Sequence, residues 1–312
     1  MTAESRDYGL EQESTTYIVG GCPDFIVYLF TILGILYYPA IISIVMMYLG
    51  TGFCGFCKKI GNLPEDKENK LWDKPKQFMA MVTYMIGRLL HGYEICGIEN
   101  IPEGPAVLVY YHGAMAYDYY FFIFTFYRIT GRFFFSVMDQ LLFRLPGLKL
   151  LFEVIHCINP TKQECVALLK KGHLLGIAPG GIREQNYSDN TYKLVWGNRK
   201  GFAQVAIDAK VPIIPMFTSN LREGYITYGN IRPMRWLYEK TRSLVFPVYG
   251  LFPVKFRTYI GQPISYDPNV TAEELVEKTK IAMEALQNKH QKIPGNIVRA
   301  LRERFEMHDR NE

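Results

Sequence analysis

From Phe25 to Cys57 the chain runs 33 residues without a charged side chain. A helix crosses a hydrocarbon core of ~30 Å with about 20 apolar residues, and as one straight rod this run would reach roughly 50 Å at ~1.5 Å per residue. The segment therefore reads as membrane-embedded, with part of its length bent or protruding. Pro39 follows Tyr37 and Tyr38 near the middle and removes a backbone donor there. A kinked helix and a hairpin re-entering one face are both open, and the hairpin is expected. Residues 1–24 hold one Arg against five acids, the reverse of a cleaved basic leader. Lys58 and Lys59 follow the run and place its carboxyl-terminal side, with the domain beyond, in the cytosol.

These features divide the chain into an amino-terminal tail (1–24), a membrane-embedded helix or hairpin (25–57), a charged linker with an interfacial helix (58–92) and one soluble domain (93–312). The helix, QFMAMVTYMIGRLLHGYEI, reads either as interfacial or as a core helix packed on a sheet. A net charge of +5, from 35 basic and 30 acidic residues, is too balanced for a nucleic-acid surface and suits an anionic membrane. The cysteines at 22, 54, 57, 96, 157 and 165 are scattered, several of them inside apolar runs, as in a reducing compartment. Cys54 and Cys57 form a CxxC without a second ligand pair, so no metal is expected.

Beyond residue 93, short β-branched or aromatic runs alternate with helical stretches. The runs are AVLVYY (106–111), RFFFSV (132–137), VIHCI (154–158), LLGIA (174–178), VPIIPMF (211–217) and FRTYIG (256–261). Helices are expected near 161–172, 198–210 and 271–290, the last opened by a Thr271/Glu274 capping box. The order predicts an α/β domain with a mixed, largely parallel sheet flanked by helices, whose ligands sit beyond the carboxyl ends of strands.

Three elements sit where such ligands bind. The first strand leads into His112-Gly113-Ala114-Met115-Ala116-Tyr117-Asp118, an imidazole near a carboxylate, as general-base chemistry requires. A structural His explains the same pattern. Ala178-Pro179-Gly180-Gly181-Ile182-Arg183-Glu184 follows another strand; its glycines let amides approach an anionic oxygen, and Arg183 offers a fork for phosphate or ester oxygens. A turn needing positive φ explains the glycines equally well. Val211 to Met216, with two prolines, suits an apolar wall. No GxSxG nucleophile elbow is present, and Ser136, His91, His156 and His173 read as structural. The aromatic stretch Tyr119 to Tyr127 either lines an acyl tunnel or is core. Arg128, Arg132, Arg144 and Lys149 form a basic stretch, either a solvated face or an attractor of phosphates. Asn186 and Asn269 head glycosylation sequons that a cytosolic domain would leave unmodified.

Taken in this order behind a membrane segment, the three elements resemble the glycerolipid acyltransferase superfamily, which includes glycerol-phosphate and lysophosphatidate acyltransferases. GHLLGIAPGGIRE, WGNRKGFAQVAIDAKVPIIPMF, NLREGY and QKIPGNIV are similar to the transmembrane protein 68 family, akin to type 2 diacylglycerol acyltransferases. The resemblance covers roughly residues 90 to 305. It implies His112 as catalytic base and Asp118 as its partner. Gly113, Pro179, Gly180, Gly181, Arg183 and Glu184 are implied as substrate contacts. It further implies an endoplasmic reticulum membrane enzyme that carries no bound cofactor and takes an acyl-CoA or phospholipid donor. Two departures stand out: five residues rather than four separate His112 from Asp118, and Gly180 replaces the Glu of the usual Pro-Glu-Gly-Thr-Arg block. The second favours an acceptor without phosphate, such as diacylglycerol. A lysophospholipid acceptor and a non-catalytic lipid-binding role are the alternatives.

Overall fold

The computed structural model describes residues 7–241 and 247–305, with side chains from Asp24 onward. Residues 1–6 of the expected tail, and the side chain of Cys22, lie outside the described residues. The apolar run forms no hairpin. Helix α1 (Asp7–Ile60) is continuous through Pro39, so residues 7–24 extend the same helix. Proline deletes a single helical hydrogen bond, and the domain braces the helix just where that weakness falls. The Pro39 carbonyl accepts from the Ser43 hydroxyl at 2.9 Å and from the Tyr117 hydroxyl at 3.0 Å. Farther along, the Tyr48 hydroxyl donates to the Pro146 carbonyl and Cys54 Sγ packs on Met79 Sδ, which makes Cys54 a packed thiol. Among the described residues, Asp24–Ile60 is the one helix long and apolar enough to cross a membrane.

Helix α2 (Asp73–His91) packs one side on the domain, as a core helix would, and leaves apolar residues exposed on the other. Met79, Ala80, Thr83, Gly87 and His91 are buried, while Phe78, Met81, Val82, Met85 and Leu89 are exposed on the opposite side. Gly87 is where α2 comes closest to its neighbour: an added Cβ would stand 3.1 Å from the Phe121 ring.

The strands are β1 (Glu94–Cys96), β2 (Val107–Tyr110), β3 (Phe134–Val137), β4 (Cys157–Ile158), β5 (Leu174–Ile177), β6 (Ile213–Ser219), β7 (Tyr225–Thr227), β8 (Val248–Gly250) and β9 (Arg257–Ile260). Seven form one sheet in the order β1-β9-β6-β2-β5-β3-β4, and β7 pairs with β8 in a separate ribbon. All pairings in the large sheet are parallel except β6 with β9, which makes it the mixed, largely parallel sheet expected. The run VIHCI yields only two strand residues because a helix occupies it up to Val154 and His156 takes φ 55°.

The remaining helices are α3 (Tyr117–Thr130), α4 (Gln140–Phe143), α5 (Lys149–Val154), α6 (Lys162–Lys170), α7 (Gly181–Tyr187), α8 (Gly201–Ala209), α9 (Leu221–Gly224), α10 (Arg232–Thr241), α11 (Ala272–His290) and α12 (Ile297–Arg302). The capping box at Thr271 and Glu274 opens α11 as its sequence specifies. The aromatic run is α3, buried from Asp118 to Tyr127 apart from Tyr120, as befits a central helix apolar on every side. Tyr119 of α3 stacks on Tyr110 at 4.0 Å and meets the Ser136 hydroxyl at 2.8 Å. Only glycine fits at 176 beneath it, because a Cβ there would fall 2.0 Å from the Tyr119 hydroxyl. This close fit locks α3, which starts just after His112, onto the strand that leads to Pro179.

Candidate active site

Three adjacent strands deliver the site. Strand β2 lies between β5 and β6, with Val109 opposite Ile177 on one side and Pro215 on the other. Each strand ends at the same edge, so the loops that follow meet there: His112 after β2, Pro179 to Glu184 after β5, and Asn220 to Gly224 after β6. The site is thus fixed by register, at the carboxyl edge of a parallel sheet.

His112 is partly exposed. Its Nδ1 lies 2.8 Å from the Gly113 carbonyl. A carbonyl only accepts, so Nδ1 carries the hydrogen and Nε2 keeps its lone pair. Among the described residues no hydrogen bond engages Nε2. Burial, with the Arg222 guanidinium beside it, pushes the imidazole down to about 4 against the pull of the Gly113 carbonyl. The ring is neutral near pH 7 and able to take a proton through Nε2.

Asp118 is not brought to His112: no hydrogen bond or ion pair joins them among the described residues. The cause is the extra residue. Helix α3 begins at Tyr117, so the position five after His112, which the family's usual spacing gives to the acid, is Tyr117. That side chain faces α1, its hydroxyl 2.5 Å from Ser43 Oγ. One residue on, roughly 100° around the helix, Asp118 is buried and its Oδ2 lacks a hydrogen-bond partner. Burial pushes its carboxyl up to about 7, against the lowering effect of the first amides of α3 and the Thr218 hydroxyl.

The second loop is built around Glu184, which was expected to touch substrate but is fully buried. One carboxylate oxygen accepts the His112 amide at 2.8 Å and the other the Val195 amide at 3.0 Å, so Glu184 positions the His112 loop. Burial raises its carboxyl to about 7 even though both amides favour the charge. A Cβ on Gly180 would stand 2.3 Å from Glu184 Cβ and 2.6 Å from its Oε2. The Glu184 side chain thus fills the space that a side chain at 180 would need. Gly181 has φ 51°, and its amide bonds the Ala178 carbonyl. Arg199 fastens the turn from outside, bonding the carbonyls of Pro179 and Gly180 at 2.8 Å each. Arg183 points away toward α10, 3.5 Å from Glu239.

The residue that sequence reasoning missed is Arg222. It is buried, and its guanidinium reaches the Tyr111 hydroxyl (2.8 Å) and the carbonyls of Gln185 (2.8 Å), His112 (3.1 Å) and Glu184 (2.7 Å). One planar fork thus ties the His112 loop to the Glu184 loop, a task for which Lys has the wrong shape. Its signal in the sequence was NLREGY directly after a buried strand, a charged pair where a core continues. The neighbouring Glu223 is held by Tyr192 and by Gln291 of the QKIPGNIV segment, which accounts for that motif as a clamp. Of the basic stretch, Arg132 bonds the Pro102 carbonyl, Arg128 covers the Tyr84 ring and Lys149 pairs with Glu153. His91 is stacked on Phe256 in the core. Asn186 is buried on α7 and Asn269 exposed. Among the described residues, no three His, Cys, Asp or Glu side chains cluster to hold a metal.

Residues 93–219, which contain both loops, match the acyltransferase family. A solved structure shares the fold: that of the 1-acyl-sn-glycerophosphate (LPA) acyltransferase PlsC from Thermotoga maritima, with a TM-score of 0.51, 17% identity and coverage of 83% of this chain and 96% of that one. The chain is an acyltransferase. The chicken (Gallus gallus) protein named "DGAT1/2-independent enzyme synthesizing storage lipids" is 54% identical over 248 residues, 80% of this chain and 75% of its own. The human protein of the same name is 49% identical over 283 residues, 90% of this chain and 87% of its own. The chain belongs to their family, the transmembrane protein 68 group of the glycerolipid acyltransferase superfamily.

Proposed function

We propose that this enzyme is a membrane-anchored O-acyltransferase of the endoplasmic reticulum, facing the cytosol, which moves a fatty acyl group onto diacylglycerol to form triacylglycerol. The relatives' name, which refers to storage lipids, supports an acylglycerol product. So does Gly180, whose place beside Glu184 leaves no room for an additional acid.

The observation that carries the reading is the seat of the catalytic loop on α1. A bilayer crossing takes about 20 residues, and every such window within the uncharged run 25–57 contains residues 38–44. Those residues carry the Pro39 carbonyl and the Ser43 hydroxyl, and both bond Tyr117, five residues beyond His112. With α1 in the bilayer, this contact brings the His112 loop within reach of a membrane-resident acceptor such as diacylglycerol.

In the reaction, Nε2 of His112 removes the proton from the acceptor hydroxyl as its oxygen attacks the acyl carbonyl of an acyl-CoA or phospholipid donor. The Gly113 carbonyl holds the ring by Nδ1 throughout, and the imidazolium returns the proton to the leaving group. The Gly181 amide is taken by Ala178, so the Gly180 amide is the one that steadies the oxyanion. Arg183, at the rim, meets the donor phosphate by exchanging its ion pair with Glu239.

The test supplies the purified protein with diacylglycerol and either labelled acyl-CoA or labelled phospholipid, beside a parallel reaction with lysophosphatidate. Label in triacylglycerol, lost in His112→Ala, is the expected result. Label only in the phosphatidate product would assign a lysophospholipid acceptor. Turnover unchanged in His112→Ala would remove the base.

A further inference from the structure

Strands β7 and β8 flank an excursion that enters the catalytic scheme only through Glu239, the ion-pair partner of Arg183. Its helix, α10, covers α7: Tyr238 packs with Ile182, and Glu239 turns back to meet Arg183 and the Tyr187 hydroxyl. Arg232, Trp236 and Lys240 of α10 are exposed, with Ile231 beside its start, while the Arg235 guanidinium lies 4.9 Å from the Tyr187 ring centre on α7. Trp236 is 62% exposed, and the Lys240 ammonium lies 4.9 Å from its ring centre. Glu239 and Arg235 thus engage α7, while Arg232, Trp236 and Lys240 form the exposed remainder of the helix.

The excursion also has a fixed height. Strand β8 closes it against α1, where the Tyr249 ring meets Tyr38 edge-on at 6.4 Å. Tyr38 is among the residues that every crossing of about 20 residues must include, so on that placement β8 lies at the bilayer, on the same domain that carries α10 against α7. An exposed indole with Lys240 against it and Arg232 one turn away is suited to that boundary, its ring among headgroups and its cations on phosphates.

We propose that α10 is a second, peripheral seat of the enzyme on anionic phospholipid headgroups, made by Arg232, Trp236 and Lys240. It rests on the membrane placement of α1 given above. The seat fixes the tilt of the domain that one helix alone leaves free, and it holds α7, with Arg183, against the lipid surface.

The protein carries its own probe, because Trp72 and Trp196 are buried and acrylamide-quenchable emission reports Trp236 alone. The full chain is reconstituted into phosphatidylcholine vesicles with and without phosphatidylserine, with Trp236→Phe identifying the signal. With phosphatidylserine, Trp236 emission should shift to the blue, be quenched by headgroup-proximal brominated lipid and become shielded from acrylamide. In Arg232→Gln/Lys240→Gln the lipid-contacting fraction should fall on the order of tenfold. Trp236 equally open to acrylamide in both vesicle types, in protein that floats with them, overturns the seat and leaves the anchor standing. Protein that fails to float overturns both.

Discussion

His112 and Asp118 stand six positions apart, yet their surroundings are opposite. The imidazole is partly exposed, its Nδ1 satisfied by the Gly113 carbonyl and its Nε2 open. The carboxyl is buried with one oxygen unsatisfied. Lost hydration moves both toward their neutral forms, the imidazole, with Arg222 beside it, down to about 4 and the carboxyl up to about 7. Motif logic joins the two residues as base and orienting acid, whereas the fold gives the orienting task to a carbonyl in the same loop. A carbonyl fixes a tautomer as well as a carboxylate does but gives less stabilisation to a protonated ring.

The largest effect should come from the exposed member. His112→Ala should lower kcat about 10²–10⁴-fold with melting unchanged, the range for a lost general base. The pH profile of kcat/KM sharpens this. The active form is the unprotonated ring, so activity should fall only as pH drops through about 4, far below an ordinary imidazole. An acid limb near the ordinary value would mean that the ring is solvated or paired with an anion when it works.

Next comes the fork that holds both loops. Arg222→Lys keeps the charge but cannot reach a hydroxyl and three carbonyls at once, and each buried carbonyl left bare costs about 1–3 kcal/mol. Misplacing His112 by ~1 Å costs on the order of 10²-fold in rate. A fall of that size in kcat at nearly constant KM, in protein that remains folded, identifies Arg222 as a positioning residue. A drop in melting temperature with normal kcat would limit it to structural support.

Gly180→Ala acts on the same framework from the other side. The new methyl meets Glu184 Cβ, not the tip of a flexible chain, so relief requires backbone movement. Overpacking of this kind costs about 1–3 kcal/mol, read as a lower melting temperature, and the shift should loosen the Glu184 bond to the His112 amide.

How much of this was legible in the sequence follows from the range of the interactions. Alternation and β-branched runs reveal strands whose neighbours are fully buried, so β2, β3, β5, β6 and β9 could be read. The short β1, β7 and β8 carry too few residues to show a period. Strand ends marked loops that the fold brings together, where Gly180 has no room for a side chain and Gly181 takes a positive φ. What could not be read was direction. Glu184 and Arg222 look like surface charges in a string of letters, and only the apposition of β5, β2 and β6 turns them inward onto loops 72 and 110 positions away. Pro39 suggested a hairpin because its brace, Tyr117, lies 78 residues on.

The smallest expected effect decides most about the comparison. Asp118→Asn keeps the shape and removes the charge, and the fold already favours the neutral carboxyl. If the Gly113 carbonyl is the orienting group during turnover, kcat should change less than about tenfold, well under the ~10⁴-fold loss known when a triad acid is replaced. Stability gives an independent reading. A carboxyl raised from 3.8 to about 7 in the fold adds stability that is complete below pH 4 and lost as pH rises through 7. The variant should abolish that slope, so that it equals or exceeds the parent in melting temperature at pH 8. A thousandfold loss of kcat with the slope unchanged would show that Asp118 leaves its pocket to join His112 in the substrate complex. The bond between Tyr117 and α1 would then be the contact that has to open, because Tyr117 and Asp118 share the first turn of α3.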